Sequence, residues 1–422
     1  MIQEFRVKNF MSIKDEQVLS FEATKDTTSL EYLTYEVKPN VRLLKMAILY
    51  GANASGKTNI IGAMHSLWRL LFEAKNSKTE TIKQYHPFAL TTDYPTEFSI
   101  VFYIGTIKYE YSVIYNEKNI VAEEMKYAPN GITSLFYRRE YTGQDKVPAV
   151  RFGDLLELSA KTKNTLTENT LNNHTLLSTY GKISVEADAL KEVYNWGENI
   201  VITFFYNSNH VQIIEKILSD NSRMNFVFNA LHKADFNISK IEIKDFENNL
   251  TPEKRKEIEN DSSMQPLTKL MLLVAKERDA LFTHHTKKGD FTLRTSMESD
   301  GTKAYFKFLN DLYNMTIQNR IYIYDEIEKN MHYDLLIHYL SLFMMNTKAS
   351  QMIFTTHDQM LLDEDFIRRD IVWFTEKSND TGATELYSAA EFGLHKNLSL
   401  YKAYKAGRLG AKPNLGSIFI EQ

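Results

Sequence analysis

Residues Gly51-Ala-Asn-Ala-Ser-Gly-Lys-Thr58 match the pattern G-x-x-x-x-G-K-[ST] at every fixed position. The run follows Lys45-Met-Ala-Ile-Leu-Tyr50, a short apolar stretch of the kind a buried strand shows. It precedes Ile60, Ile61, Met64, Leu67, Trp68, Leu70 and Leu71, apolar residues at close to helical spacing. Strand, glycine-bearing loop and helix form the context in which the pattern has physical meaning. Glycines let such a loop curl so that backbone N–H groups point at phosphate oxygens, and the helix N-terminus adds the positive end of its dipole. Gly51, Asn53, Ala54, Ser55, Gly56 and Asn59 are therefore the expected cradle. Lys57 would reach the β- and γ-phosphates, and Thr58 would offer its hydroxyl to Mg²⁺.

Three further pieces carry polar residues, two of them at the end of an apolar strand and one ahead of a helix. Ile321-Tyr-Ile-Tyr324 runs into Asp325-Glu326. A carboxylate there, beside a phosphate loop, suits the Mg²⁺ shell, so Asp325 is the expected metal residue and Glu326 the residue that orients attacking water. Gln351-Met-Ile-Phe354 runs into Thr355-Thr-His357, which puts His357 on the same sheet edge, able to donate to a γ-phosphate or the water. Glu298-Ser-Asp-Gly-Thr302 precedes a helix and offers Ser299, Gly301 and a helix N-terminus. His284, His285 and His332 have no convincing metal spacing around them.

The rest of the chain organises around these pieces. Ile2 to Phe10 and Glu16 to Thr24 read as two strands, and 96–139 as an antiparallel meander punctuated by Gly105, Asn116 to Lys118 and Pro129-Asn-Gly131. Residues 151–282 read as mostly helical, with Thr251-Pro252 as a helix start. From there to 422, strands and helices alternate, which implies a largely parallel sheet. The expected organisation is 1–150 and 283–422 as two lobes of one head, with 151–282 inserted as a helical subdomain. The 24 Tyr and 25 Phe are spread along the chain, which reads as packing and not as a base-stacking array.

The four pieces in this order resemble the ABC-type ATPase heads of the SMC, RecF and OLD-like group. The fold implied is α/β, a P-loop NTPase of ABC-ATPase-head type with an antiparallel β lobe and an inserted helical subdomain. In such heads a serine and glycine like Ser299 and Gly301 form a signature that completes the ATP site of the other protomer, so two ATPs are held in a head-to-head dimer. Arg6-Val-Lys-Asn-Phe10 and Ser12 are similar to the group's first strands, which lie near the adenine. The insertion is too short and too weakly heptad-like for a long SMC arm.

Pro87-Phe88, Asp325-Glu-Ile-Glu328, Thr355-Thr-His357, Arg368-Arg-Asp370, Trp373-Phe374, Glu385-Leu-Tyr387 and Tyr404-Lys-Ala-Gly-Arg-Leu-Gly-Ala-Lys-Pro413 narrow the resemblance. Together they resemble the AAA15/AAA_21-type ATPases of the RloA- and AbiL-like abortive-infection group. That likeness implies a homodimer or higher homo-oligomer and an operon-encoded effector, a nuclease or toxin such as a Toprim protein of the RloB kind. Where the family usually carries Ser-Leu-His-Pro after its acidic motif, this chain has Asn330-Met-His-Tyr333; His332 is kept and the proline is absent. Gln84, just before Pro87-Phe88, is the candidate for the Q-loop glutamine that reaches the metal.

The implied function is a Mg²⁺-dependent ATPase that senses or regulates in anti-phage defence; the alternative is a RecF- or SMC-like DNA-binding repair ATPase without a toxic partner. A net charge of −4 and the lack of a dense basic run weigh against nucleic acid bound at rest, leaving a groove formed only in the closed dimer. The segment after His357 is too short for the Toprim nuclease domain of OLD proteins. No N-K-x-D and no D-x-x-G occurs, which argues against a GTPase. The absence of cysteine excludes thiolate chemistry and fits the cytoplasm. No stretch reaches the roughly 18 apolar residues of a membrane helix, so no membrane partner is expected.

Overall fold

The computed structural model describes residues 1–143, 146–198, 200–203, 210–234, 236–246, 251–261, 263–274, 277–394 and 398–413. They group into two compact units, one drawn from 1–204, 318–328 and 344–422, the other from 205–317 and 329–343.

The first unit is built on a six-stranded sheet. Its strands are β1 (Met46–Gly51), β2 (Ile200–Thr203), β3 (Ile321–Tyr324), β4 (Gln351–Thr355), β5 (Val372–Lys377) and β6 (Thr384–Ser388). Their spatial order is β2-β3-β4-β1-β5-β6, parallel throughout except for the antiparallel pair β5–β6. Every residue of β1, β3 and β4 is buried. Strands covered on both faces read as unbroken apolar runs, which is why these three were visible in the sequence. Tyr324 pairs with Phe354, Thr355 with Leu49 and Thr375 with Gly51, so the C-terminal ends of β3, β4, β1 and β5 share one edge. Helix α1 (Lys57–Phe72) leaves that edge and buries Ile60, Ile61, Met64, Leu67, Leu70 and Leu71.

The same unit carries a seven-stranded sheet in the order Ala149–Phe152, Ser134–Glu140, Ile120–Ala128, Ile107–Tyr115, Thr96–Ile104, Ile2–Lys8, Gln17–Ser20. Thr96 to Ile100 alternate buried and half-buried, the signature of a strand with one face on a core. Ile104 pairs with Ile107 across a two-residue turn that needs Gly105 at φ 57°. The aromatics fill this lobe: Phe102 stacks on Trp196 at a 3.9 Å centroid distance, and Tyr109, Tyr111, Tyr115 and Tyr137 are fully buried. The Tyr111 and Tyr137 hydroxyls donate to buried Glu123, at 3.2 and 2.7 Å. Burial pushes the Glu123 carboxyl up, against the pull of Arg139 and these hydrogen bonds.

The second unit holds a three-stranded antiparallel sheet, with Glu277–Thr286 between Ile238–Phe246 and Gly289–Arg294. Helix α2 (Asp300–Gln318) starts in it. Arg223 is buried there, donating to Asn310 at 2.7 Å and Asn314 at 2.9 Å, with its guanidinium over the Tyr313 ring. The stretch 151–282, expected as one mostly helical insertion, is divided: its residues up to 204 belong to the first unit, the later ones to the second. It also contains the strand Ile238–Phe246. This is an edge strand on which only Ile238 and Ile241 are buried, so lysines and acids hide its alternation.

Candidate phosphate-binding site

The phosphate loop spans the end of β1 and the start of α1. A Cβ at Gly51 would lie 2.5 Å from the Thr375 carbonyl oxygen, and one at Gly56 (φ 111°) would collide with the Thr384 side chain. Both positions therefore admit only glycine. Ala54 takes a left-handed φ of 62° at the exposed crown, next to exposed Asn53. The loop is fastened from behind by hydroxyls. Ser55 Oγ lies 2.6 Å from Thr375 Oγ1, and Thr384 Oγ1 donates to the Ser55 carbonyl at 2.9 Å. Ser12 Oγ lies 2.7 Å from Thr384 Oγ1 and accepts from Asn59 Nδ2 at 2.6 Å.

Lys57 is buried, its ammonium donating to the Gly51 and Ala52 carbonyls at 2.9 and 3.1 Å. Desolvation lowers its pKa, opposed by the carboxylates Asp325, Glu326 and Glu328. Thr58 Oγ1 donates to Asp325 at 3.0 Å from Oδ2 and 3.3 Å from Oδ1. A hydroxyl and a carboxylate at this separation are hard oxygen donors suited to Mg²⁺, which binds through one or two protein ligands plus phosphates and water. Among the described residues, no group of three or more His, Cys, Asp or Glu side chains is arranged for a metal.

Glu326 is exposed and left-handed, at φ 52°. Its N–H donates to Thr355 Oγ1 at 2.7 Å, and that hydroxyl donates to Asp325 Oδ1 at 2.6 Å. The His357 ring is exposed at the end of β4, and its backbone N–H donates to Glu328 Oε1 at 2.7 Å. Lys57, Thr58, Asp325, Glu326 and His357 thus gather on the edge expected from their strands.

Two expectations stand apart. Gln84 is buried with neither side-chain amide atom partnered among the described residues, and no hydrogen bond described there joins it to Thr58 or Asp325. Ser299 and Gly301 belong to the second unit. Ser299 Oγ accepts from the Thr302 N–H at 3.0 Å and so caps α2. A Cβ at Gly301 would meet the Asn330 carbonyl oxygen at 2.8 Å. The preceding Glu298 is buried, 2.6 Å from His284 Nε2. Ser12 and Thr355 stood inside runs that the sequence reading named, without these roles, and Thr375 and Thr384 were not named at all; hydrogen bonding beside the loop brings them in.

Residues 46–363 match the family described as "AAA domain, putative AbiEii toxin, Type IV TA system". The chain belongs to this family. Its fold is α/β, with the glycine-bearing loop at the edge of a mostly parallel sheet and a large antiparallel sheet beside it in the same unit. An SMC head bound to the C-winged helix domain of ScpA is similar at a TM-score of 0.41 and 15% identity, over 95% of this chain and 99% of that one. The SMC head domain from Thermotoga maritima gives 0.39 and 13%, over 92% and 98%. An SMC head with an extended coiled coil, bound to the C-terminal domain of ScpA, derived from Pyrococcus furiosus, gives 0.36 and 13%, over 97% and 99%. No curated protein matches the chain. No helix among the described residues is long and apolar enough to cross a membrane.

Proposed function

We propose that the protein hydrolyses ATP with Mg²⁺. The observation that carries this is the approach of Thr58 Oγ1 to within 3.0 Å of Asp325, which joins the helix after the phosphate loop to the end of β3. Loop amides and the α1 N-terminus bind the phosphates, and Lys57 turns from the loop carbonyls to the β- and γ-oxygens. Thr58 and Asp325 hold Mg²⁺, which when bound neutralises charge on the phosphates. Glu326 orients the attacking water, and His357 donates to the γ-phosphate side of the site. Ser299 and Gly301 act in trans, across a head-to-head homodimer. The regulatory role in anti-phage defence, with control of a partner nuclease or toxin, follows from the resemblance to abortive-infection ATPases; the family's description names a putative toxin of a toxin–antitoxin system. The net charge of −4 favours this over a DNA-repair clamp.

Nucleotide binding and turnover of two variants test the reading. Lys57→Ala should lose ATP binding; Glu326→Gln should keep binding and stall hydrolysis. Turnover unchanged in both would remove the assignment.

A further inference from the structure

Segment 325–328 follows β3, and Thr355 ends the neighbouring parallel strand β4 with 356–357 directly after it. Strand pairing alone aligns their backbones; it does not fix the side chains beyond the strand ends. Here two side chains do so. The Thr355 hydroxyl gives its single proton to Asp325 Oδ1 (2.6 Å) and accepts the Glu326 N–H (2.7 Å). Glu328 Oε1 accepts the His357 N–H (2.7 Å) in return, and the Ile327 N–H reaches the Thr355 carbonyl at 3.1 Å. Thr355 is fully buried, and Glu328 Oε2 is buried with no hydrogen-bond partner among the described residues.

We propose that Thr355 and Glu328 are positioning residues that lock the metal-binding, water-orienting and histidine-bearing residues into one rigid unit. The inference rests on the ATPase reading above. Its physical content is directional. With Oδ1 engaged by Thr355, Oδ2 is the nearer Asp325 oxygen to Thr58, at 3.0 against 3.3 Å, and the one left free of Thr355 for the expected metal. With its N–H engaged, Glu326 stays left-handed, a backbone state that a non-glycine residue keeps only when its surroundings hold it. Neither bond of the Thr355 hydroxyl is made to the core; both go to residues assigned to the reaction. A hydroxyl is needed because one atom must donate to a carboxylate and accept from an amide.

The experiment compares Thr355→Val, Thr355→Ser and Glu328→Ala in ATP turnover, ATP KM, melting temperature and the Mg²⁺ dependence of the ATP-induced rise in melting temperature. Thr355→Val keeps the side-chain shape and loses the hydroxyl. Its kcat should fall about ten- to a hundredfold, the effect of losing a hydrogen bond to a charged group. Its KM should change little, and it should need more Mg²⁺ for the same ATP-induced shift. Thr355→Ser should restore most of the turnover, and Glu328→Ala should lower kcat by less than Thr355→Val. Wild-type turnover in Thr355→Val overturns the inference. So does Thr355→Ser failing as badly as Val with an equally depressed melting temperature, which marks a purely structural threonine. If the wild type neither hydrolyses ATP nor loses its ATP-induced shift on Lys57→Ala, the ATPase reading itself fails and the inference falls with it. Lys57-dependent hydrolysis that ignores Thr355→Val removes the inference alone.

Discussion

Around the phosphate loop, the polar groups are held by the first unit's own strands. Lys57 rests on two loop carbonyls, Thr58 on Asp325, Asp325 on Thr355, and the His357 N–H on Glu328. Around Ser299, only the root is held. Glu298 is buried against His284, whereas Ser299 is exposed and its hydroxyl caps its own helix. A site assembled in advance can bind a phosphate chain without reorganising its donors, and such preorganisation is where electrostatic catalysis comes from. A capped helix N-terminus offers a phosphate a dipole and a hydroxyl but no cradle. The contrast is the one expected under the proposed function, in which the loop binds the nucleotide and Ser299 of a second copy completes the site.

The largest effect should come from removing the carboxylate on the preassembled side. Asp325→Asn keeps the size of the side chain and loses the charge that a divalent cation needs. Turnover should drop roughly 10²- to 10³-fold, in line with single electrostatic groups in other active sites. Steady-state hydrolysis across a Mg²⁺ titration measures it. A variant that matches the wild type at saturating Mg²⁺ would mean that Asp325 is only a structural partner of Thr58 and Thr355.

The preassembled side was also the more legible one in the sequence. Residues 51–58 form a contiguous pattern, and Asp325-Glu326 and Thr355-His357 end apolar runs, so local sequence carries both identity and place. The fastening hydroxyls were hidden for the opposite reason. Thr375 and Thr384 meet the loop because β5 pairs with β1 and β6 with β5, and Ser12 joins them through Thr384 and Asn59. A lone threonine at a strand end carries no pattern. Thr355 stood inside a noticed motif, yet its role depends on the β3–β4 register. Ser299 was legible as a cap, but what a cap faces in an assembly is set by surfaces far apart in sequence. The strand Ile238–Phe246 was missed because a charged edge strand lacks clean alternation.

The first unit should also respond to acid. In the first unit His174 is buried, its Nδ1 accepting the Lys75 N–H at 3.1 Å. Burial pushes its pKa down to about 4 from 6.5. The folded state therefore takes up the proton less readily than the unfolded chain. Stability from this site is full above pH 6.5 and is lost as pH falls toward 4, by about 3 kcal/mol in all. Urea unfolding at pH 7 and pH 4.5 should show the wild type losing more stability than His174→Gln. Equal losses would remove His174 as the acid-sensitive point.

The smallest effect on stability, and the sharpest test of the contrast, lies at Ser299. Ser299→Ala removes the cap of α2 and should cost about 1 kcal/mol in unfolding free energy, the usual price of such a cap. If Ser299 is only a cap, the loss stops there, and turnover at a temperature where the protein is folded stays at the wild-type level. If it completes a site across a two-fold dimer, turnover collapses while ATP binding by the phosphate loop persists. The two outcomes separate further on mixing. A Lys57→Ala protein and a Ser299→Ala protein, each inactive alone, would form mixed dimers in which one site carries both lesions and the other carries neither. An equimolar mixture allowed to exchange subunits should then recover about a quarter of wild-type turnover, since about half of the dimers are mixed and each has one intact site. No recovery, despite subunit exchange seen by a labelled copy, would place Ser299 outside any shared site and leave the phosphate loop to work from its own chain.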